Sequence, residues 1–206
     1  MVGQVGRAQP GTGGARIDES LLIARAREGD QAAFGELVER YQGAVFNLAY
    51  RMLGDSGEAE DAAQEIFVRI YRQLARYDDA RRFSTWVLAI ATNYCIDQLR
   101  RRRLQLVPLE EIVPWARSRD AGPEREALDR EARDELQGLL GRLPEKYRAV
   151  LILRYWQDLS CAEIGEVLRV PEGTVKTQLH RARQALMRLM EEQKQQGERR
   201  DALSRV

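Results

Sequence analysis

Apolar residues recur at three- and four-residue steps along most of this chain, which is the period of an amphipathic helix. The clearest such stripe consists of Phe34, Leu37, Val38, Tyr41, Val45, Leu48 and Met52. Gly29 and Asp30 precede it, as the stop of a shorter helix and the N-cap of this one. The first half shows no alternation of the kind that strands produce. We therefore predict an all-α chain whose first domain is a small helical bundle at 18–103.

The helical period continues through Asp61 to Leu74, where two opposite sides can be separated. One side is apolar and is assigned to the core: Ala59, Ala63, Ile66, Phe67, Ile70 and Leu74. The opposite side carries Asp61, Gln64, Glu65, Val68 and Arg72, with Tyr71 at its edge. An apolar centre with a polar surround favours a docking face. The alternative is an ordinary solvated face with one stray valine.

A polar loop leads into a second helix that ends in four arginines at 100–103. Its inward side is assigned to Leu88, Ala91, Cys95 and Leu99, and its outward side to Trp86, Asn93, Asp97 and Arg100. An outward Trp can stack on a base, an Asn can bond a base edge, and arginines bind phosphate. This combination favours nucleic acid. The alternative is that Trp86 packs inward against the loop and Asn93 has no special role.

The pattern changes at 104–128, which carries three prolines and no sustained period. We predict a flexible interdomain linker there. The glycine-rich segment 1–17 is predicted to be a disordered tail, and 191–206 a polar tail. The expected architecture is two small helical domains, at 18–103 and 129–190, on a flexible linker.

The second domain contains the signature of a helix-turn-helix. Ser160 and Glu163 form a predicted capping box, and a short turn through Pro171 leads into the last helix. Its buried stripe is Val175, Leu179, Ala182, Leu186 and Leu189. The candidate duplex DNA contacts are Gly173, Thr174, Lys176, Thr177, His180, Arg181 and Gln184. Arg and Gln suit guanine and adenine, whereas a solvated basic face is the alternative.

Composition changes this picture little. Charged residues make up 32% of the chain but the net charge is only +1, so the whole-chain charge does not decide for or against nucleic acid. Two cysteines and one histidine make neither a disulfide framework nor a usual zinc site. No paired nucleophile and base, phosphate-binding glycine loop or metal cluster is visible, so we expect no enzyme, catalytic residue, metal or cofactor. The chain also lacks a long apolar run or signal peptide, so we expect a cytoplasmic protein without membrane insertion.

Two long stretches carry a family resemblance. DAAQEIFVRIYRQL followed by FSTWVLAIATNYCIDQLRRRR resembles region 2 of bacterial sigma factors, in the compact form of the extracytoplasmic-function (ECF) group of the sigma-70 family. LPEKYRAVLILRYWQDLSCAEIGEVLRVPEGTVKTQLHRARQAL resembles sigma region 4. The resemblance covers about 21–190 and is weakest in the linker. Pro171, Cys161 and Gln178 depart from common residues of the family, and Gln178 leaves the exact −35 preference open.

The resemblance implies a transcription initiation factor with three binding faces. Core RNA polymerase is expected to bind Asp61, Gln64, Glu65, Val68, Tyr71 and Arg72. The melted promoter −10 element is expected to contact Arg76, Tyr77, Arg81, Arg82, Phe83, Trp86, Asn93 and Arg100. The helix-turn-helix is expected to bind the duplex −35 element. An anti-sigma factor is the expected regulatory partner.

An ordinary helix-turn-helix regulator with an N-terminal sensor or dimerisation domain is the competing hypothesis. It explains 159–190 equally well. It does not explain an outward Trp and Asn before an arginine run, or a second candidate docking face.

Overall fold

The computed structural model describes the backbone of residues 14–105 and 124–203, and the side chains of 19–103 and 133–196. Four helices form the first half: α1 (Gly14–Arg27), α2 (Gln31–Leu53), α3 (Ser56–Gln73) and α4 (Phe83–Gln105), with a 3₁₀ turn at Leu74–Arg76. Four more form the second half: α5 (Glu124–Arg142), α6 (Glu145–Tyr155), α7 (Cys161–Leu168) and α8 (Glu172–Leu203). These described ranges contain no strand. The all-α prediction is confirmed.

Local sequence signals set the helix ends. The Asp30 carboxylate accepts hydrogen bonds from the backbone N–H groups of Ala32 (2.9 Å) and Ala33 (3.1 Å), so it caps α2. Gly54 ends α2 in the left-handed conformation (φ 84°), which glycine adopts without steric cost. Asp55 then caps α3 through the N–H of Glu58 at 2.9 Å. The connection between α2 and α3 is therefore only two residues long.

The first half buries the stripes that its sequence period predicts. α2 lies at the centre and packs against α1, α3 and α4. Leu37, Val45, Leu48 and Met52 of α2 are buried. On α3, Ala59, Ile66 and Ile70 are buried, while Ala63 and Phe67 are partly buried against the same core.

The second half is centred on α6, whose central residues are buried on all sides rather than along one stripe. Every residue from Arg148 to Leu153 is buried. The sequence predicts an amphipathic helix here, from Tyr147, Val150, Leu151 and Tyr155. The structure differs because α6 packs against α7 and α8 on one side and against α2 and α4 of the first half on the other. The two halves consequently share one continuous hydrophobic core.

Polar side chains of the second half bind the C-terminal end of α2. Gln137 Nε2 donates to the backbone carbonyls of Arg51 (3.1 Å) and Tyr50 (3.3 Å). The Arg148 guanidinium donates to the carbonyls of Met52, Gly141 and Leu143. Burial lowers the pKa of Arg148 to about 10, so the side chain stays charged at neutral pH. The Arg51 and Met52 carbonyls lie in the last turn of α2, where carbonyls lack a backbone partner within the helix, so these side chains supply their donors.

Several helices extend beyond the predicted domain limits. α4 runs to Gln105 and α5 begins at Glu124, so both ends of the predicted linker are helical. α1 begins at Gly14, within the predicted N-terminal tail. The rest of the predicted linker (106–123), residues 1–13 and residues 204–206 lie outside the described residues. The predicted polar tail continues α8 as far as Leu203.

The turn between α7 and α8 depends on a glycine. Ser160 and Glu163 form the predicted capping box at the start of α7. α7 ends at Arg169 in the left-handed conformation (φ 55°), whose N–H donates to the Gly165 carbonyl. A Cβ added to Gly165 would lie 2.8 Å from the backbone oxygen of Val170. Since the backbone fixes the position of a Cβ and the Val170 oxygen is itself a backbone atom, no side-chain rotation can relieve this contact.

We expect Gly165→Ala to lower the free energy of unfolding by about 1–3 kcal/mol, the usual cost of overpacking. Urea denaturation followed by circular dichroism measures it. Gly43→Ala is the matched control, because nothing lies within 4 Å of a Cβ at that helical position. The control should be neutral or stabilising by up to about 1 kcal/mol. Equal stability of the two variants would show that the turn adjusts freely.

Candidate nucleic-acid interface

The residues predicted to bind polymerase share one exposed face of α3, called the α3 face below. Asp61, Gln64 and Arg72 are exposed, and the two apolar members, Val68 and Tyr71, are 42% and 45% exposed. The Tyr71 ring meets Phe34 edge-on at a centroid distance of 4.9 Å, which fixes its orientation. Exposed apolar side chains among charges are the composition expected of a docking surface.

Glu65 is the member of this set that the structure places differently. It is half-buried and its carboxylate accepts a hydrogen bond from Arg69 Nε at 3.0 Å. The Arg69 guanidinium lies 4.6 Å from the centroid of the Tyr94 ring on α4. Glu65 therefore helps to hold α3 against α4, and Asp61, Gln64, Val68, Tyr71 and Arg72 are the more accessible members.

The loop between α3 and α4 is held in place by Arg27, a residue at the end of α1. Its guanidinium donates to the Asp79 carboxylate (2.8 Å) and to the carbonyls of Leu74 (3.3 Å) and Tyr77. It also lies 5.3 Å from the centroid of the Tyr77 ring. Nothing in the sequence indicates this role of Arg27, because its partners are about fifty residues away along the chain and no periodicity connects them.

Two aromatic residues of the predicted −10 set are part of the core. Tyr77 and Phe83 are only 7% and 3% exposed, and their rings meet at 5.1 Å. Trp86 is partly buried against both, at 5.2 Å from Tyr77 and 5.5 Å from Phe83. The prediction that Tyr77 and Phe83 contact bases is therefore corrected. Their burial fixes the loop on the start of α4, and Trp86 packs against it.

The polar members of the −10 set stay on the surface. Arg76, Arg81 and Asn93 are exposed. Arg82 and Arg100 are exposed as well, but each faces an acid of the second half. Arg82 Nη1 lies 2.5 Å from a Glu163 carboxylate oxygen, and Arg100 Nε lies 3.8 Å from Glu145. A cleft of about 420 Å³ between the loop and α7 is lined by Arg81, Arg82, Glu163 and Arg169, among others.

The predicted −35 set lies along one side of α8. All of its members are exposed: Gly173, Thr174, Lys176, Thr177, His180, Arg181 and Gln184. The opposite side buries Val175, Leu179 and Ala182, as the sequence period predicts. Lys176 pairs with Glu172 at 2.8 Å, one turn earlier, and this contact raises its pKa. The face presents hydrogen-bond donors and cationic groups of the kind that read a major groove.

The structure adds Lys146 of α6 to this face, a residue that the sequence does not indicate. Lys146 and Tyr147 at the start of α6 line a cleft of about 280 Å³ together with Thr174, Thr177 and Arg181. Lys146 therefore extends the basic surface beside the first turns of α8. The amphipathic period of α6 does not show that Lys146 lies beside α8, because this proximity depends on how the two helices pack together.

Both halves match models of one protein family. The model for Sigma-70 region 2 matches residues 37–105, and that for Sigma-70 region 4 matches residues 133–186. The ECF RNA polymerase sigma factor SigW of Bacillus subtilis (strain 168) is 40% identical over 172 residues, which are 80% of this chain and 92% of that protein. This chain belongs to the ECF sigma factor family. The sequence resemblance is confirmed.

Solved structures support the arrangement of this ECF sigma factor. The structure of CnrH in complex with the cytosolic domain of CnrY has a TM-score of 0.62 and 27% identity, and covers 84% of this chain and 97% of that one. The sigma factor RpoE in complex with the anti-sigma factor NepR from Bartonella quintana has a TM-score of 0.59 at 18% identity, covering 77% and 96%. At that identity the second likeness supports the fold alone.

Within its described residues, the ECF sigma factor was also searched for metal sites, reactive thiols and membrane-spanning helices. No group of His, Cys, Asp and Glu side chains within it is placed to hold a metal ion. Burial raises the pKa of the Cys95 thiol to about 12, so this thiol is protonated at neutral pH. None of the helices searched in the described ranges is long and apolar enough to cross a membrane.

Proposed function

We propose that this ECF sigma factor binds core RNA polymerase and directs it to promoters through a duplex −35 element and a melted −10 element. The observation that carries this proposal is the pairing of both family regions in one chain with an exposed row of DNA-contact side chains on α8. The chain itself needs no covalent chemistry and no cofactor, because polymerisation belongs to the polymerase. Its place of action is the cytoplasm, where the polymerase works.

The −35 element is assigned to α8, the second helix of the helix-turn-helix. Such a helix lies in the major groove with its N-terminal residues against base edges. Arg181 can bind guanine through two hydrogen bonds, and Gln184 can bind adenine in the same way. Gly173, exposed in the first turn, lets the backbone approach a phosphate closely.

The −10 element is assigned to the exposed polar residues of the loop and α4. Asn93 can bond the edge of an unstacked base, while Arg76, Arg81, Arg82 and Arg100 supply cations for the strand backbone. The buried rings of Tyr77 and Phe83 support this set from beneath by holding the loop rigid. A loop that is already rigid loses less conformational entropy when it binds DNA, so the entropic cost of binding is lower.

Core polymerase is assigned to the α3 face, with Val68 and Tyr71 as its apolar centre. A second protein partner, an anti-sigma factor, is proposed to regulate access to these faces. The similarity to CnrH, whose structure includes the cytosolic domain of CnrY, supports the expectation of a bound regulatory protein.

Transcription in vitro tests the proposal as a whole. A genomic fragment library is transcribed by core RNA polymerase with and without this chain, and the transcripts are sequenced. We expect discrete start sites that depend on the chain and share two upstream elements. Specific duplex binding by the chain alone, without any dependent transcript, would instead establish the helix-turn-helix regulator.

Val68→Glu tests the α3 face. We expect core polymerase affinity to fall about tenfold or more, because an added carboxylate is desolvated at the centre of the interface. Surface plasmon resonance with immobilised core polymerase measures it. Val68→Thr is the matched control, since it keeps the shape without a charge and should change affinity far less. Thermal unfolding should be unchanged in both, because Val68 is 42% exposed. If Val68→Glu binds core polymerase with wild-type affinity, the α3 face is not the polymerase-binding surface.

Arg181→Ala tests base reading by α8. If Arg181 reads a base, its loss costs about 1–3 kcal/mol at one position of the −35 element and relaxes the preference there. Transcription from promoters randomised in that element measures the preference. Arg183→Ala is the matched control, because the Arg183 Nε donates to the Leu179 carbonyl of its own helix at 3.3 Å. An unchanged preference assigns Arg181 to phosphate or solvent.

A further inference from the structure

Two arginines at the end of α4 belong to none of the binding faces assigned above. The sequence of this helix contains four consecutive arginines, of which only Arg100 is a member of the −10 set. We propose that Arg101 and Arg103 bind the backbones of the double-stranded DNA directly upstream of the melted −10 element. The fork between paired and unpaired DNA then lies along α4. This proposal rests on the proposed function and adds a third DNA contact to it.

The structure separates the arginines of this run into two kinds. Arg102 is half-buried and pairs with the Glu58 carboxylate on α3, and burial lowers its pKa. Arg101 and Arg103 are exposed, and no hydrogen bond or ion pair joins either of them to another described residue. Their guanidinium groups are therefore available to an anionic ligand, whereas Arg102 holds α4 against α3.

Helical geometry gives each arginine a direction relative to Asn93, the proposed base contact of α4. At about 100° per residue, Arg100 lies close to the line of Asn93 along the helix and Arg102 lies opposite it. Arg101 and Arg103 lie about 80° to either side of that line. A single strand can follow Asn93 and Arg100, whereas two diverging arginines suit two backbones. The major groove, about 12 Å wide, admits an α-helix with one backbone on each side.

The distance along α4 places the two arginines beyond the unpaired base. Arg101 and Arg103 follow Asn93 by eight and ten residues, which is about 12–15 Å at 1.5 Å per residue. Successive bases of a strand are about 3.4 Å apart, so this distance corresponds to about four base pairs. The C-terminal end of α4 is also the end joined to the second half, which is proposed to bind the −35 element. The arginines therefore lie upstream of Asn93, over the paired DNA between the two elements.

One acid lies between the base contact and these arginines. Asp97 is exposed on the side of α4 that carries Asn93. Its carboxylate repels a phosphate, but it can accept a hydrogen bond from the amino group of a base. Along α4, phosphate contacts are therefore expected after Asp97 rather than before it. The segment 97–103 still has a net charge of +3, from four arginines and one aspartate.

Helix stability is the competing explanation of the arginine run. Cationic side chains in the last turn of a helix interact favourably with its dipole, and α4 carries Arg102 and Arg103 there. A dipole effect requires only a charge near the last carbonyls. It predicts no difference between paired and unpaired DNA, so the ratio of two DNA affinities separates the two explanations.

Arg101→Gln with Arg103→Gln is tested in the holoenzyme formed by the full chain and core RNA polymerase. Both fluorescent probes carry the same single-stranded −10 segment, from a promoter found by the transcription experiment. One probe is single-stranded throughout, and the other adds a duplex directly upstream of that segment. Arg133→Gln with Lys194→Gln is the matched control, because these two exposed cationic residues of the second half lie outside the three proposed faces.

Fluorescence anisotropy at several salt concentrations measures both affinities. We expect the Gln variant to bind the forked probe about tenfold more weakly than wild type does and the single strand equally well. On the forked probe, the slope of log affinity against log salt should fall by about 2, since each lost phosphate contact removes about one released counterion. Arg101→Lys with Arg103→Lys should retain most of the affinity, and the control should match wild type on both probes.

Two results overturn the inference and leave the proposed function intact. An equal loss of affinity on the two probes would mean that the arginines act on the helix alone. Wild-type affinity of the Gln variant for the forked probe would remove them from the DNA interface. A wild-type chain that yields no dependent transcript overturns the proposed function, and this inference with it.

Discussion

The structure depends on the burial of the central part of α6. Its residues from Arg148 to Leu153 contact α7 and α8 on one side and the helices of the first half on the other. Removing apolar surface from water on both sides of one helix is the main force that joins the halves. Arg148 makes this packing specific, because its Nη1 and Nη2 groups find acceptors only when the carbonyl of Met52 in the first half and those of Gly141 and Leu143 in the second are in place.

The packing of the core also determines which polar residues are exposed and can contact DNA. A ring cluster at the start of α4 buries Tyr77 and Phe83, and Arg27 ties the loop to α1. Asn93 and the arginines then project from a rigid surface. In the second half, a capping box and Gly165 fix a short turn, and the turn presents one exposed side of α8. Both proposed DNA-binding faces are therefore polar surfaces on helices that the packing of the core holds in place.

The sequence by itself determined the helices, their caps and the family. Hydrophobic periods, the Asp30 cap and the capping box of Ser160 and Glu163 act within a few residues, so they can be recognised from the sequence. The exposed sides of α3 and α8 followed from the same periods. Tertiary structure decided three features: the contacts of Arg27 with the loop, the burial of the Tyr77 and Phe83 rings, and the burial of the centre of α6 on all sides. These features join residues far apart along the chain, and only the packing of whole helices brings them together.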